Sequence, residues 1–145
     1  SPRALQEGGL DYGWPRCYYS GGKAKVDPRF PSGASRTDCP GAPDAFAFFG
    51  AHSSPLGLEY FGVDSTAPAL KAQFLVALHG ASNKKLGRGY RVVRVDNHGQ
   101  VQDFITGFID HGVVRGRPCD IFKLSEESFL LSDDNAGVIY YVRAK

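Results

Sequence analysis

The chain of 145 residues is long enough for one domain with a sizeable core, and its 42% hydrophobic and 22% charged residues exclude wholesale disorder. A net charge of +2, with the basic residues scattered, excludes the basic footprint of a nucleic-acid protein. No apolar run approaches the roughly 18 residues of a membrane span, and 18 glycines with 9 prolines favour short strands and turns over a helix bundle.

Residues 1–43 read as a loop-rich segment. Gly8–Gly9, Gly21–Gly22, Pro28, Pro31, Ser32–Gly33, Pro40 and Pro43 forbid a long regular element. Only Asp11–Tyr12–Gly13–Trp14–Pro15 stands out, as a compact aromatic turn whose Tyr12 and Trp14 are expected to staple the loop to the body of the domain. Cys17 and Cys39 fall in the same stretch, 22 positions apart. A bridge between them would offset some ~3 kcal/mol of loop entropy, so a Cys17–Cys39 disulfide and a secreted, oxidising setting are predicted. Cys119 is left over, either buried in a strand or paired with chain outside this sequence, and no CxxC pair signals zinc. The chain has no methionine, even at residue 1, which predicts a processed or excised piece.

From Asp44 to Lys145 short β-rich runs alternate with turn residues. Strands are predicted at about Leu56–Phe61, Phe74–Leu78, Tyr90–Val95, Gln102–Thr106, Cys119–Leu124, Phe129–Ser132 and Val138–Arg143, with one short helical candidate at Ala67–Ala72. His98 in Asn97–His98–Gly99 reads as a hairpin-turn residue and His111 as a loop residue. Asp133–Asp134–Asn135 clusters oxygens as a calcium ligand run would, but its place between two strands, with glycine just after, predicts a hairpin turn.

A degenerate repeat runs through this part. Ser54–Phe61 parallels Arg117–Leu124, Phe74–Ala77 parallels Phe129–Ser132, and Gly89–Val95 parallels Gly137–Arg143. Three or four antiparallel strands per unit, repeated along the chain, predict β-propeller blades with loop insertions. The fold class is therefore all-β, part of a propeller, with about two blades at 44–145. Two blades cannot close a ring of the usual four to eight. The remainder of a parent propeller is the expected partner, and a ring of several copies the weaker alternative.

Glu7–Pro15, Ala51–Leu58, Phe74–Gly80, Gly89–Val95, Gly116–Pro118 and Phe129–Asp134 follow one another in a set order along the chain. Together these six segments resemble the C-terminal third of the soluble quinoprotein glucose/sorbosone dehydrogenases, a group that includes fungal pyranose dehydrogenases. The resemblance implies a six-bladed propeller that binds pyrroloquinoline quinone (PQQ) with a calcium ion and oxidises the anomeric carbon of an aldose. It implies a sugar substrate and an external electron acceptor. The group's calcium-binding segment and catalytic base would lie upstream of residue 1, and Ser1–Gln6 carries no carboxylate for calcium. Catalytic and metal-binding residues in this chain are therefore left unassigned.

The pattern carries over to three cofactor-binding candidates. Arg117, between glycine and proline at the head of a strand, suits a cofactor bearing several carboxylates, because a guanidinium donates parallel charge-assisted hydrogen bonds. Without the resemblance it reads as a surface arginine. His79 ends an apolar strand; its imidazole could hydrogen-bond a quinone carbonyl, move a proton, or merely cap a loop. His52 lies in the polar entry Ala51–Pro55, able to line the same pocket or to satisfy turn carbonyls. The rival expectation is a non-catalytic β-propeller module that binds carbohydrate or protein on the same scaffold.

Overall fold

A computed structural model describes residues 11–29, 39 and 41–144. The turns expected at Gly8–Gly9, Pro31, Ser32–Gly33 and Pro40, and Glu7–Leu10 of the first resembling segment, lie outside those residues. The chain divides into two compact units, Ser1–Phe48 and Phe49–Lys145.

The first unit contains a hairpin that the glycine-rich reading missed. Strands β1 (Cys17–Ser20) and β2 (Lys23–Val26) pair antiparallel, Ser20 opposite Lys23. Gly21 and Gly22 take φ of 60° and 79°. Both central positions of a two-residue hairpin turn need positive φ to match the twist of the strands, so this Gly–Gly pair builds the hairpin rather than breaking the chain. The expected Cys17–Cys39 disulfide is present. The aromatic turn is compact, with Asp11 Oδ1 accepting from Gly13 N at 2.7 Å and Gly13 O from Cys17 N at 2.8 Å. Both of its rings are exposed, Trp14 at 79%. Within the same unit the Tyr19 hydroxyl donates to Pro43 O.

The second unit is built of two propeller blades. One is a four-stranded antiparallel sheet in the order β3 (Pro55–Phe61), β4 (Gln73–Leu78), β5 (Arg91–Val95), β6 (Val101–Ile105). A short hairpin of β7 (Ile109–Asp110) and β8 (Val113–Val114) follows, turning at His111 and Gly112. The second blade is three-stranded, β9 (Pro118–Ser125), β10 (Ser128–Asp133), β11 (Val138–Arg143). The repeat holds element by element, with β3, β4 and β5 answered by β9, β10 and β11. The expected helix at 67–72 is a single turn: Lys71 N reaches Ala67 O at 3.0 Å, then Ala72 turns left-handed at φ 54° and ends it.

Alternation decides what lies between the sheets. Phe61, Leu75, Ala77 and Val92 of the first blade meet Ile121, Phe129 and Leu131 of the second in one buried cluster. Phe61 and Phe129 pack edge to face, ring centroids 5.6 Å apart. The inner strands approach so closely that a Cβ on Gly57 would stand 2.6 Å from Asp120 Cα, a backbone atom that cannot swing away. Glycine is the residue that fits there.

At one end of the sheets the β9–β10 turn clasps the loop after β3. Glu126 Oε2 accepts from Gly62 N at 2.6 Å, Ser65 Oγ donates to Glu126 O at 2.8 Å, and Lys123 Nζ bonds both Glu126 and Tyr60 O. The hydrogen bond from Lys123, with that from Gly62, holds the Glu126 carboxyl below the ordinary glutamate range. A carboxyl depressed on folding adds stability above its unfolded pKa of about 4.3 and loses it as pH falls through the folded value. Acid titration below about pH 4 should therefore release this turn, read as faster amide exchange at Gly62; Glu126→Gln should flatten that dependence.

Candidate functional site

The opposite end of the blades gathers the residues singled out by sequence. Because β3 and β9 start there while β4 and β10 finish there, the antiparallel order converges Ser53–Ser54, His79–Gly80, Arg117 and the 133–137 turn. His79 N donates to Ser54 O at 3.0 Å and Gly80 N to Ser53 O at 2.9 Å, continuing the β3–β4 ladder into the loop that carries His52.

Asp133 is the anchor of this end. It is 1% exposed, the last residue of β10, and its Oδ1 accepts from Arg117 N and from Ala136 N, both at 2.9 Å. The first bond fixes the head of β9 and the second closes the β10–β11 turn. Gly116 makes room: a Cβ there would sit 2.0 Å from Asp133 Oδ2. The expected hairpin turn at 133–135 is thus present, with Gly137 N returning to Asp133 O at 2.9 Å.

Arg117 reaches from the second blade to the first. Its Nε donates to His79 O at 3.2 Å and its Nη2 to Gly80 O at 2.8 Å, while its guanidinium carbon lies 5.8 Å from the centre of the Tyr90 ring. Tyr90 is buried at a left-handed φ of 56°, its hydroxyl donating to Ala81 O at 2.5 Å. Gly80 leaves room for that ring, since a Cβ would come within 2.5 Å of it.

His79 Nε2 lies 2.8 Å from Asp134 Oδ1, so one histidine at the end of the first blade is held by a carboxyl 55 residues later. That hydrogen bond, reinforced by the charge of Arg117, keeps the Asp134 carboxyl below the usual aspartate range. Cys119, the free thiol, lies partly buried on β9 with its pKa pushed up by burial and by Asp134 and Asp120. Its strand position matches one of the two expected placements.

Of the three candidates, Arg117 and His79 are therefore adjacent, joined through the His79 carbonyl. His52 stands exposed on the neighbouring turn at φ 69°. Sequence reasoning placed Asp133 and Asp134 in a hairpin turn without assigning them a part at this end, and it missed Tyr90. A signal existed for Asp133, the last residue of an apolar run followed by turn residues; the partners of Asp134 and Tyr90 are settled only by blade packing. His98 lies in the β5–β6 turn, where Asp96 Oδ1 accepts from His98 N and Gln100 N. Among the described residues no three or more His, Cys, Asp or Glu side chains are grouped to hold a metal ion, and no helix is long and apolar enough to cross a membrane.

No protein-family model matches the chain. Over 99 residues it is 28% identical to an uncharacterized protein of Borreliella burgdorferi, covering 63% of this chain and 26% of that one. Two structures of a Trichoderma reesei protein of the carbohydrate-active enzyme family AA12, one with iodide and one with calcium, superpose on 92% of the chain. Each gives a TM-score of 0.67 and 19% identity, over 39% and 38% of those chains. The holo PQQ domain of Coprinopsis cinerea pyranose dehydrogenase, 19% identical, covers 72% of this chain and 30% of its own at a TM-score of 0.49. The chain thus spans about a quarter of the Borreliella relative and about two fifths of the Trichoderma protein whose fold it shares.

Proposed function

We propose that this chain supplies two blades, and part of the cofactor site, of a secreted PQQ-dependent oxidoreductase that oxidises the anomeric carbon of aldoses or pyranoses and passes the electrons to an external acceptor. The observation that carries the reading is the meeting of Arg117 and His79, two of the three residues named by the quinoprotein resemblance, at one end of adjacent blades in a fold shared with an AA12 protein. The disulfide supports an oxidising compartment.

The donor set fits an anionic ring. Arg117 spends Nε and Nη2 on carbonyls, and Nη1 has no partner among the described residues. Its fixed positive charge is held in place before any ligand arrives, the arrangement that favours a multiply carboxylated acceptor and its more anionic reduced form. His52 and His79 share that end. When bound, PQQ supplies the two-electron sink. Calcium would be held by residues outside this chain, since Asp133, the buried carboxyl here, is already taken up by Arg117 N and Ala136 N.

The outer faces support a larger ring. Phe122, Ile139 and Tyr141 are 64%, 69% and 60% exposed on one face of the second blade, and Leu56 and Leu58 are exposed on β3. Beside β11 a groove of about 380 Å³, lined by Ile105, Phe108, Leu131 and Tyr140, runs next to a strand that pairs only with β10 among the described residues. Apolar faces and a bare edge of this kind are what neighbouring blades of the same polypeptide would cover.

Absorbance titration with PQQ and calcium tests the reading on the full polypeptide. Saturable uptake, weakened roughly tenfold or more by Arg117→Ala, is expected. No uptake by the intact protein would overturn it in favour of a non-catalytic module.

A further inference from the structure

We infer that Asp134 is the positioning residue of His79: accepting from Nε2, it leaves Nδ1 as a lone-pair acceptor for the hydroxyl of a sugar. The inference rests on the function proposed above and narrows the part His79 plays in it, from the cofactor to the substrate.

The argument runs through donors and acceptors. An ionised carboxyl can only accept. Asp134 Oδ1 lies 2.8 Å from His79 Nε2, and that hydrogen bond, with the charge of Arg117 added, favours the ionised carboxyl, so the hydrogen between the two belongs to Nε2. In a neutral imidazole the other nitrogen then carries a lone pair. Nδ1 has no partner among the described residues. It is not sealed either, because the one buried side-chain nitrogen left unpaired among them is Arg91 Nε, while the His79 side chain keeps 16% of its surface.

That polarity selects the ligand. Quinone carbonyls and carboxylates offer lone pairs, which a lone pair on Nδ1 repels. A hydroxyl offers a hydrogen, which Nδ1 accepts. The charged groups around the pair divide in the same sense: Arg117 lies on the carbonyl side of His79 and donates, Asp133 is turned to Arg117 N, and the Cys119 thiol on β9 lies in the field of both Asp134 and Asp120. One end of the blades therefore presents a donor for an anion and an acceptor for a hydroxyl, through two adjacent residues with separate tasks. The β10–β11 turn gives the fold a reason to deliver Asp134 across the blade boundary: Asp133 locks the turn, and the next residue orients the imidazole.

Nitrogen-15 NMR on the cofactor-free protein with labelled histidine tests this, the His79 signals being those lost in His79→Gln. The expected result is a downfield, slowly exchanging Nε2–H and an Nδ1 resonance of the unprotonated type. Asp134→Ala should lose the Nε2–H signal to solvent exchange; Asp134→Asn, which keeps an acceptor oxygen, should retain it. Adding D-glucose should move the Nδ1 resonance, and acetate at equal concentration should not. A proton on Nδ1 in the unsubstituted protein overturns the inference whether or not the alanine variant folds. So does an Nε2–H signal unchanged in a folded Asp134→Ala, a shift with acetate, or no shift with D-glucose. None of these readings involves PQQ, so a protein that takes up no quinone would sink the proposed function while leaving the tautomer assignment standing.

Discussion

Asp133→Ala is expected to lower the unfolding free energy by about 3 kcal/mol, one of the largest losses any single polar truncation in the chain would cause. The substitution strands two backbone donors, Arg117 N and Ala136 N, which now bond one carboxyl oxygen at 2.9 Å each. A buried donor left without a partner costs about 1–3 kcal/mol, more than the bond contributed when made. The space opened beside Gly116 and the Phe108 ring adds a cavity term, since Gly116 packs directly on the lost carboxyl. Asp133→Asn keeps an acceptor oxygen and should cost about 1 kcal/mol. Urea unfolding decides, read as a shift in midpoint at constant slope. A loss under about 1 kcal/mol for the alanine variant would mean water replaces the carboxyl and the turn does not depend on it.

The same residue shows where sequence reading works and where it stops. Leu75, Val92, Phe129 and Leu131 announce themselves because short runs of aliphatic and aromatic residues, closed by turn residues, have few other uses. The seven predicted strands all appear, within one residue or so of their ends, for that reason. The Gly21–Gly22 and His111–Gly112 hairpins escaped because four or fewer residues per strand give alternation nothing to repeat over. Ala67–Ala72 is the one short helical candidate in the sequence, yet a single turn closed by a left-handed Ala72 is too short to hold a helix against its nucleation cost. The site was legible only in part. Arg117 and His79 could be named one at a time, but their meeting depends on the inner strands of two blades touching at Gly57 and Asp120. The Asp134 contact with His79, at a separation of 55 residues, has no local signal at all. Contacts between blades are consequences of ring geometry, and a single chain of letters carries them only through the repeat.

Arg117→Ala should be about as damaging as Asp133→Ala, and comparing it with Arg117→Lys separates two jobs that one side chain performs. As an anchor the guanidinium donates to His79 O at 3.2 Å and Gly80 O at 2.8 Å and faces the Tyr90 ring at 5.8 Å. Hydrogen bonds from a charged donor contribute about 1.5–3 kcal/mol each when partly buried, and solvent at the half-exposed head group trims the pair to a total of about 2–3 kcal/mol. Lysine keeps the charge but is a point donor on a flexible stem, able to reach one carbonyl at a time. It should recover about half of the stability, near 1–1.5 kcal/mol. Cofactor affinity should not recover in proportion, because a planar fork that spans two acceptors and still presents a free Nη1 has no counterpart in an ammonium group. Paired urea unfolding and PQQ titration of the two variants therefore give a clear outcome. If quinone affinity rises with stability from alanine to lysine, Arg117 acts on the cofactor only by holding the β4 end in place. If stability returns and affinity does not, the guanidinium itself meets the ligand.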